Sequence, residues 1–188
     1  MTIGLLSWIA FYLWMGTEWL IALRTKHLRK GVSSVNRDQG SYWMIMGGVF
    51  IAIFLAFLFH DYHWGHVSSN VANWGAFLMI AGCGFRLWAI SVLGKHFALS
   101  VSTENSQMIV EKGPYRIIRH PAYTGSLITL LGLGLAMNSW LASVLIEAMF
   151  WVIYWYRIEI EEQALMDHFG AAYEEYRKRT WRLVPYLW

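Results

Sequence analysis

The chain has 188 residues, of which 57% are hydrophobic and only 14% charged, with a net charge of +3. Soluble domains average roughly 25% charged residues, so the composition argues against a soluble protein, and the mild positive balance needs no nucleic-acid partner, since basic loops beside anionic lipid account for it. Cys83 is the single cysteine, which excludes an intrachain disulfide and reads as a small packed residue in an apolar setting.

Five apolar stretches follow in chain order: Ile3–Leu23, Tyr42–Phe59, Val71–Leu93, Ala122–Met137 and Trp140–Tyr156. Measured against the roughly 20 residues that cross a bilayer, they predict an all-α, polytopic membrane protein with about five transmembrane helices. The start, Met1-Thr2-Ile3, has no basic n-region, so the first stretch is expected to be a span and not a cleaved signal. The last two stretches are short, and only Asn138 and Ser139 separate them, which predicts a tight helical hairpin. The 12 Trp and 10 Tyr suit belts at the two membrane interfaces.

The Lys and Arg residues alternate along this scheme. Five lie between Arg24 and Arg37, four in the connector (Lys95, Lys112, Arg116, Arg119) and five from Arg157 onward, whereas the loop after the second span and the hairpin tip carry none. By the positive-inside rule the N-terminus lies outside and the C-terminus in the cytosol. One membrane domain over residues 1–188 is expected, with N-terminal spans in 1–93 and a connector, hairpin and tail in 94–188. The connector and the tail are expected to form a cytosolic helical cap.

Glu18, Arg86 and Glu147 fall inside predicted spans, where charge is costly and marks a partner or a polar cavity. Glu18 lies five residues and Arg86 seven before the cytosolic ends of their stretches. The similar depth pairs them, either as a structural ion pair or as the lining of a head-group pocket. Glu147 sits near mid-bilayer with no evident partner.

The connector runs into VEKGPYRIIRHPAYTG, residues 110–125. Gly113-Pro114 is a turn signal. Pro121 excludes His120 from the α region and itself suits a first helical turn, so His120 is expected to cap the fourth helix at the cytosolic interface. Free backbone N–H groups there, with Arg116 and Arg119 alongside, form either an anion site or an interfacial basic anchor. In the tail, Arg157 and Glu161 are one helical i,i+4 step apart, with Glu162 beside them. Leu165, Phe169, Tyr173 and Tyr176 form an amphipathic stripe that Gly170 interrupts.

Taken together, Val110, Gly113-Pro114-Tyr115, Arg119-His120-Pro121-x-Tyr123-x-Gly125, Arg157 with Glu161-Glu162, Phe169-Gly170, Tyr173, Tyr176 and Pro185 resemble the isoprenylcysteine carboxyl methyltransferase family over residues 93–188. The Arg-His-Pro-x-Tyr element also occurs in related phospholipid methyltransferases. The resemblance implies a prokaryotic member in the inner membrane that uses S-adenosyl-L-methionine and methylates the carboxylate of an amphiphilic, lipid-like substrate. It places the cofactor against Val110, Gly113, Tyr115, His120, Pro121, Tyr123 and Glu162. Arg157 and Glu161 become the catalytic pair, Arg157, Arg119 and Arg86 the substrate contacts, and no metal is implied. Gly82-x-Gly84 and Gly132-x-Gly134 lie within apolar stretches and lack the context of a dinucleotide fingerprint.

A carboxylate is already ionised at neutral pH, so its methylation needs no general base, only an oriented pair in a shielded site. An amine acceptor must first lose a proton, and His120 or Glu161 could take it, which leaves phospholipid N-methylation open beside small-thiol S-methylation. A non-enzyme reading rests on His60, His63 and His66 with Asp61, whose spacing could hold a metal or haem in a membrane subunit. The sequence does not reveal the oligomeric state.

Overall fold

The computed structural model describes residues 2–29, 40–94 and 109–186. Most of the basic first loop (residues 30–39), Lys95 in the connector and Trp188 fall outside the described residues. The described chain is helical: α1 (Leu5–Arg29), α2 (Ser41–Asp61), α3 (Ser69–Leu93), a 3-10 turn at Gly113–Arg116, α4 (Pro121–Ala136), α5 (Trp140–Phe169) and α6 (Ala171–Arg179).

Among the described residues four helices, α1, α2, α3 and α5, are long and apolar enough to cross a membrane, and the protein is an integral membrane protein. The fourth expected span, α4, has only 16 residues. At 1.5 Å per residue it reaches ~24 Å, short of the ~30 Å hydrocarbon core. It is also among the most enclosed helices, buried at Leu127, Leu130, Leu133 and Ala136. Its neighbours, and not lipid, satisfy its apolar surface.

The α3–α4 pair is the most extensive helix packing among the described residues. Glycine makes it possible: a Cβ at Gly132 would lie 2.5 Å from the Gly75 carbonyl oxygen, and one at Gly125 would lie 2.8 Å from the Arg86 backbone nitrogen. Where lipid gives helices no hydrophobic reason to associate, such backbone contact supplies the dispersion energy. It also sets Arg86 of α3 against the first turns of α4.

The tight hairpin between α4 and α5 forms as expected. Asn138 adopts φ 63°, a left-handed conformation that Asn tolerates. The Ser139 hydroxyl caps α5 by accepting from the Ala142 N–H at 3.1 Å. With 30 residues, α5 reaches ~45 Å and outruns the bilayer by several turns. The segment after Tyr156 is therefore a straight continuation of the span and carries Arg157, Glu161 and Glu162 past the apolar core. Gly170, at φ 53°, ends this rod and turns the chain into α6, the interruption expected of it.

Candidate functional site

Charged side chains converge where α4 begins and α5 leaves the apolar layer. His120 caps α4 with Pro121 in the first turn, as the sequence predicts, but the backbone around it has a further partner. Residues 117–120 pair in parallel with Trp181 and Arg182. Trp181 N–H donates to the Ile117 carbonyl (2.8 Å), Arg119 N–H to that of Trp181 (2.7 Å) and His120 N–H to that of Arg182 (3.1 Å). The Thr124 hydroxyl also donates to the Leu183 carbonyl at 2.8 Å. The C-terminal segment is thus a wall of the site and not a loose interfacial anchor.

Glu162 stands at the centre and is only 3% exposed. Its Oε1 accepts from Arg119 Nε at 2.9 Å and lies 3.3 Å from His120 Nε2. Its Oε2 accepts from Arg182 Nε at 3.1 Å and Arg182 Nη2 at 2.8 Å. Arg182 also reaches Glu159 at 2.7 Å, and Arg119 donates to the Thr180 carbonyl. Removing one member of such a buried charged cluster leaves the others unmatched, so the cluster holds its own geometry.

Glu161 organises the second half. Its Oε1 accepts from Arg157 Nε at 3.0 Å and from the Tyr123 hydroxyl at 2.8 Å, and its Oε2 lies 3.6 Å from His120 Nδ1. Arg157 Nε also reaches the Tyr123 oxygen at 3.3 Å. His120 therefore bridges the two adjacent glutamates, one at each ring nitrogen, while its face stacks on Tyr123 with centroids 5.9 Å apart.

A turn deeper, Arg86 Nη1 donates to Glu18 Oε1 at 2.7 Å and to the Ser126 hydroxyl at 3.0 Å. Ser126 is hydrogen-bonded to the Tyr154 hydroxyl at 2.6 Å, and the Tyr154 ring lies 4.7 Å from that of Tyr123. The Glu18–Arg86 pair expected from depth alone is present and joins the upper cluster through these two tyrosines.

His120, Tyr123, Arg119, Arg157, Glu161 and Glu162 come together as the sequence predicts. Pro121 starts the helix beside them. Gly113 and Tyr115 belong to the 3-10 turn and Val110 precedes it in the chain. Gly113 takes φ 56°, a left-handed conformation that glycine adopts without strain, and a Cβ there would also lie 3.1 Å from Val92 of α3. The Tyr115 carbonyl accepts from the Tyr176 hydroxyl at 2.8 Å, which ties the turn to α6. Burial pushes the Tyr176 phenol up, so at neutral pH it keeps the proton it donates. Burial likewise raises Tyr173, whose hydroxyl is enclosed without a hydrogen-bond partner and sits within the electrostatic reach of Glu162 and Arg119. Arg116 is exposed on the 3-10 turn.

Sequence reasoning missed Arg182, Ser126 and Tyr154. Tyr154 was detectable, since it precedes Arg157 by three residues and so shares its helix face. Arg182 offered no such signal, because only the parallel pairing with residues 117–120 brings it to Glu162.

At the opposite end of the molecule, the His60 and His63 rings lie 6.4 Å apart and those of His63 and His66 6.0 Å apart, centroid to centroid. Nδ1 of His60 lies 3.1 Å from the Met137 carbonyl oxygen, in hydrogen-bonding contact with the hairpin. Among the described residues no group of three or more His, Cys, Asp or Glu is arranged to hold a metal ion.

Comparison with known proteins gives a consistent picture. The model of the family described as phospholipid methyltransferase matches residues 71–172, which hold nearly all of this cluster. The chain is 30% identical over 119 residues to protein-S-isoprenylcysteine O-methyltransferase B of Arabidopsis thaliana, a match covering 62% of this chain and 60% of that one. It is 27% identical over 186 residues to the protein-S-isoprenylcysteine O-methyltransferase of Saccharomyces cerevisiae, covering 95% of this chain and 78% of the relative. Among solved structures it superposes with a TM-score of 0.63 on the eukaryotic intramembrane Ras methyltransferase ICMT, covering 98% of this chain and 69% of that one at 19% identity. At that identity the likeness is one of fold.

Proposed function

Because the chain belongs to the phospholipid methyltransferase family, we propose that it transfers a methyl group from S-adenosyl-L-methionine to the carboxylate of an isoprenylcysteine-type amphiphile at the cytosolic face of the membrane. The observation that carries this reading is Arg157. It is 7% exposed and oriented by Glu161 and the Tyr123 hydroxyl where the apolar span ends, so it can meet an anionic head group whose tail remains in lipid.

The residues present fit the cofactor. The partnerless Tyr173 hydroxyl, within electrostatic reach of Glu162 and Arg119, would offer a donor and an acceptor to ribose or amino-acid groups. The rings of His120, Tyr123 and Tyr154 pack in sequence, His120 stacked on Tyr123 and Tyr123 tilted against Tyr154, and give the site an aromatic side beside which a cation would sit favourably. When bound, S-adenosyl-L-methionine supplies an electrophilic sulfonium methyl. Val110, Gly113, Tyr115, His120, Pro121 and Tyr123 would hold it. Glu162, whose oxygens already accept from Arg119, Arg182 and His120, would act by fixing these groups. Arg157 and Arg119 would orient the acceptor, and Glu161 would hold Arg157 in place. The surrounding helices exclude water, which strengthens every charge interaction in the site. Residues 1–93 would contribute spans that shelter the acceptor, and residues 94–188 the cofactor side of the same domain. The termini would follow the charge asymmetry, with the N-terminus outside and the C-terminus in the cytosol of a prokaryotic inner membrane.

The position of His120, 3.6 Å from Glu161 and 3.3 Å from Glu162, supports one further reading. An imidazole between two carboxylates can accept a proton, which N-methylation of a phospholipid amine requires. Calorimetric titration of the detergent-solubilised protein with S-adenosylhomocysteine tests the cofactor. Incubation with labelled S-adenosyl-L-methionine and either S-farnesylcysteine derivatives or phosphatidylethanolamine then identifies the acceptor. Absence of S-adenosylhomocysteine binding removes both readings, and label in phosphatidylethanolamine alone selects the second.

A further inference from the structure

The Tyr154 hydroxyl ends a chain of polar contacts that crosses the bundle. On α1 the Trp14 indole N–H donates to Glu18 Oε1 at 3.3 Å, and the same oxygen accepts from Arg86 Nη1 of α3 at 2.7 Å. Arg86 Nη1 also donates to the Ser126 hydroxyl of α4 at 3.0 Å, and Ser126 is bonded to the Tyr154 hydroxyl of α5 at 2.6 Å. Ser126 is 4% exposed and Tyr154 2%. A hydroxyl buried this far has no water to replace a lost partner, so the pair stays joined. Gly125 lets α4 lie directly against the Arg86 backbone, which fixes Ser126 at the next position. The hydroxyl pair therefore sets where the Tyr154 ring stands.

Another ring rests on it. Tyr154, Arg157 and Glu161 share one face of α5, and Tyr123 and Ser126 share one face of α4, through the helical repeat. The Tyr123 ring lies against that of Tyr154 with centroids 4.7 Å apart and planes inclined by 32°. One turn above the Ser126–Tyr154 bond, the Tyr123 hydroxyl donates to Glu161 at 2.8 Å and accepts from Arg157 Nε at 3.3 Å. The second contact is at the long end of the hydrogen-bond range, so a small shift of the Tyr123 ring removes it. We infer that Tyr154 is a positioning residue: bonded to Ser126, it seats the Tyr123 ring, and through the Tyr123 hydroxyl it sets how Arg157 meets the acceptor carboxylate. This rests on the reading of Arg157 as the carboxylate anchor. The Tyr154 hydroxyl needs no contact with either substrate, so its loss acts on acceptor binding and runs entirely through Tyr123.

The test is a double-mutant cycle on the dissociation constant of N-acetyl-S-farnesylcysteine, measured calorimetrically on protein saturated with S-adenosylhomocysteine. Tyr154→Phe keeps the ring and removes the hydroxyl. It is expected to weaken acceptor binding roughly fivefold, the worth of one neutral hydrogen bond, and to leave the S-adenosylhomocysteine Kd within about twofold of wild type. In a Tyr123→Phe background the same substitution is expected to add nothing, because the route to Arg157 is already cut. Ser126→Ala breaks the bond from its other end and carries the same expectations if Tyr154→Phe does not fold. Three results overturn the inference alone: acceptor binding unchanged in Tyr154→Phe, an effect that adds in full to that of Tyr123→Phe, or a matching loss of S-adenosylhomocysteine affinity, which marks a general loosening of the site. An Arg157→Ala variant that binds the acceptor as the wild type does, or a wild type that does not bind it, overturns the anchor reading and this inference with it.

Discussion

Arg182 and Glu162 are 20 residues apart in sequence, yet Nε and Nη2 of the arginine both donate to one carboxylate oxygen of the glutamate, at 3.1 and 2.8 Å. The contact joins the C-terminal segment to the end of the longest helix and completes a clamp that Arg119 and His120 supply from the other side.

Arg182→Ala should open this clamp. Glu162 keeps Arg119 and His120, so the cost is that of a charged hydrogen bond, about 1.5–3 kcal/mol. The thermal midpoint in detergent should fall and S-adenosylhomocysteine affinity should weaken. Arg182→Lys should recover only part of both, because an ammonium cannot reproduce the guanidinium's directed pair of contacts. Unchanged affinity in the alanine variant would place the tail outside the cofactor wall.

Arg157→Ala should lower turnover by roughly 100-fold or more, since orientation of the acceptor depends on it, while the protein still inserts and binds S-adenosylhomocysteine. Single-turnover methyl transfer to S-farnesylcysteine derivatives measures this, and wild-type rates would remove Arg157 from the mechanism.

Tyr123→Phe deletes a hydroxyl that touches both Arg157 and Glu161. Stability should change by only about 0.5–1.5 kcal/mol. The acceptor KM should rise, because Arg157 loses one of the groups that hold it. A rise in the S-adenosylhomocysteine Kd with no change in acceptor KM would assign Tyr123 to the cofactor alone.

Gly132→Ala should destabilise the α3–α4 pair by about 1–3 kcal/mol, since its Cβ would meet the Gly75 carbonyl oxygen and the Met79 backbone nitrogen. Gly84→Ala, with nothing within 4 Å of its Cβ, is the control and should be neutral. Thermal unfolding of both variants in one detergent separates a packed interface from a general intolerance of α3 and α4 to side chains.

Topology can be read with single cysteines, because Cys83 is buried and contributes little background labelling. Arg116→Cys and Lys178→Cys occupy exposed positions at the site end of the molecule, and Tyr62→Cys an exposed position at the other. A membrane-impermeant maleimide applied to sealed inverted vesicles should label the first two and not the third. Labelling of positions 116 and 178 from opposite sides would remove the shared site.

Much of the site was legible because its signals are local. Pro121 after His120 announces a helix start through its own steric limits. Arg157 and Glu161 share a face through the helical repeat, and Glu18 and Arg86 are recognisable because charge in an apolar stretch demands a partner. Arg182, Ser126 and Glu162's role as the hub were not legible in the same way. Glu162 could be read as a cofactor contact, but its lone pairs are taken by groups that reach it from 20 to 43 residues away.

The sequence by itself determined that this chain lives in a membrane, where its helices run, which ends carry charge and which family it resembles, since hydropathy, helical period and motif spacing are properties of neighbouring residues. Tertiary structure alone decided that α4 is enclosed by its neighbours, that the chain's end pairs with residues 117–120, and which cation meets which carboxylate. Those outcomes depend on how closely two backbones approach and on which donors the low-dielectric interior leaves unmet, and both are set only when distant segments pack.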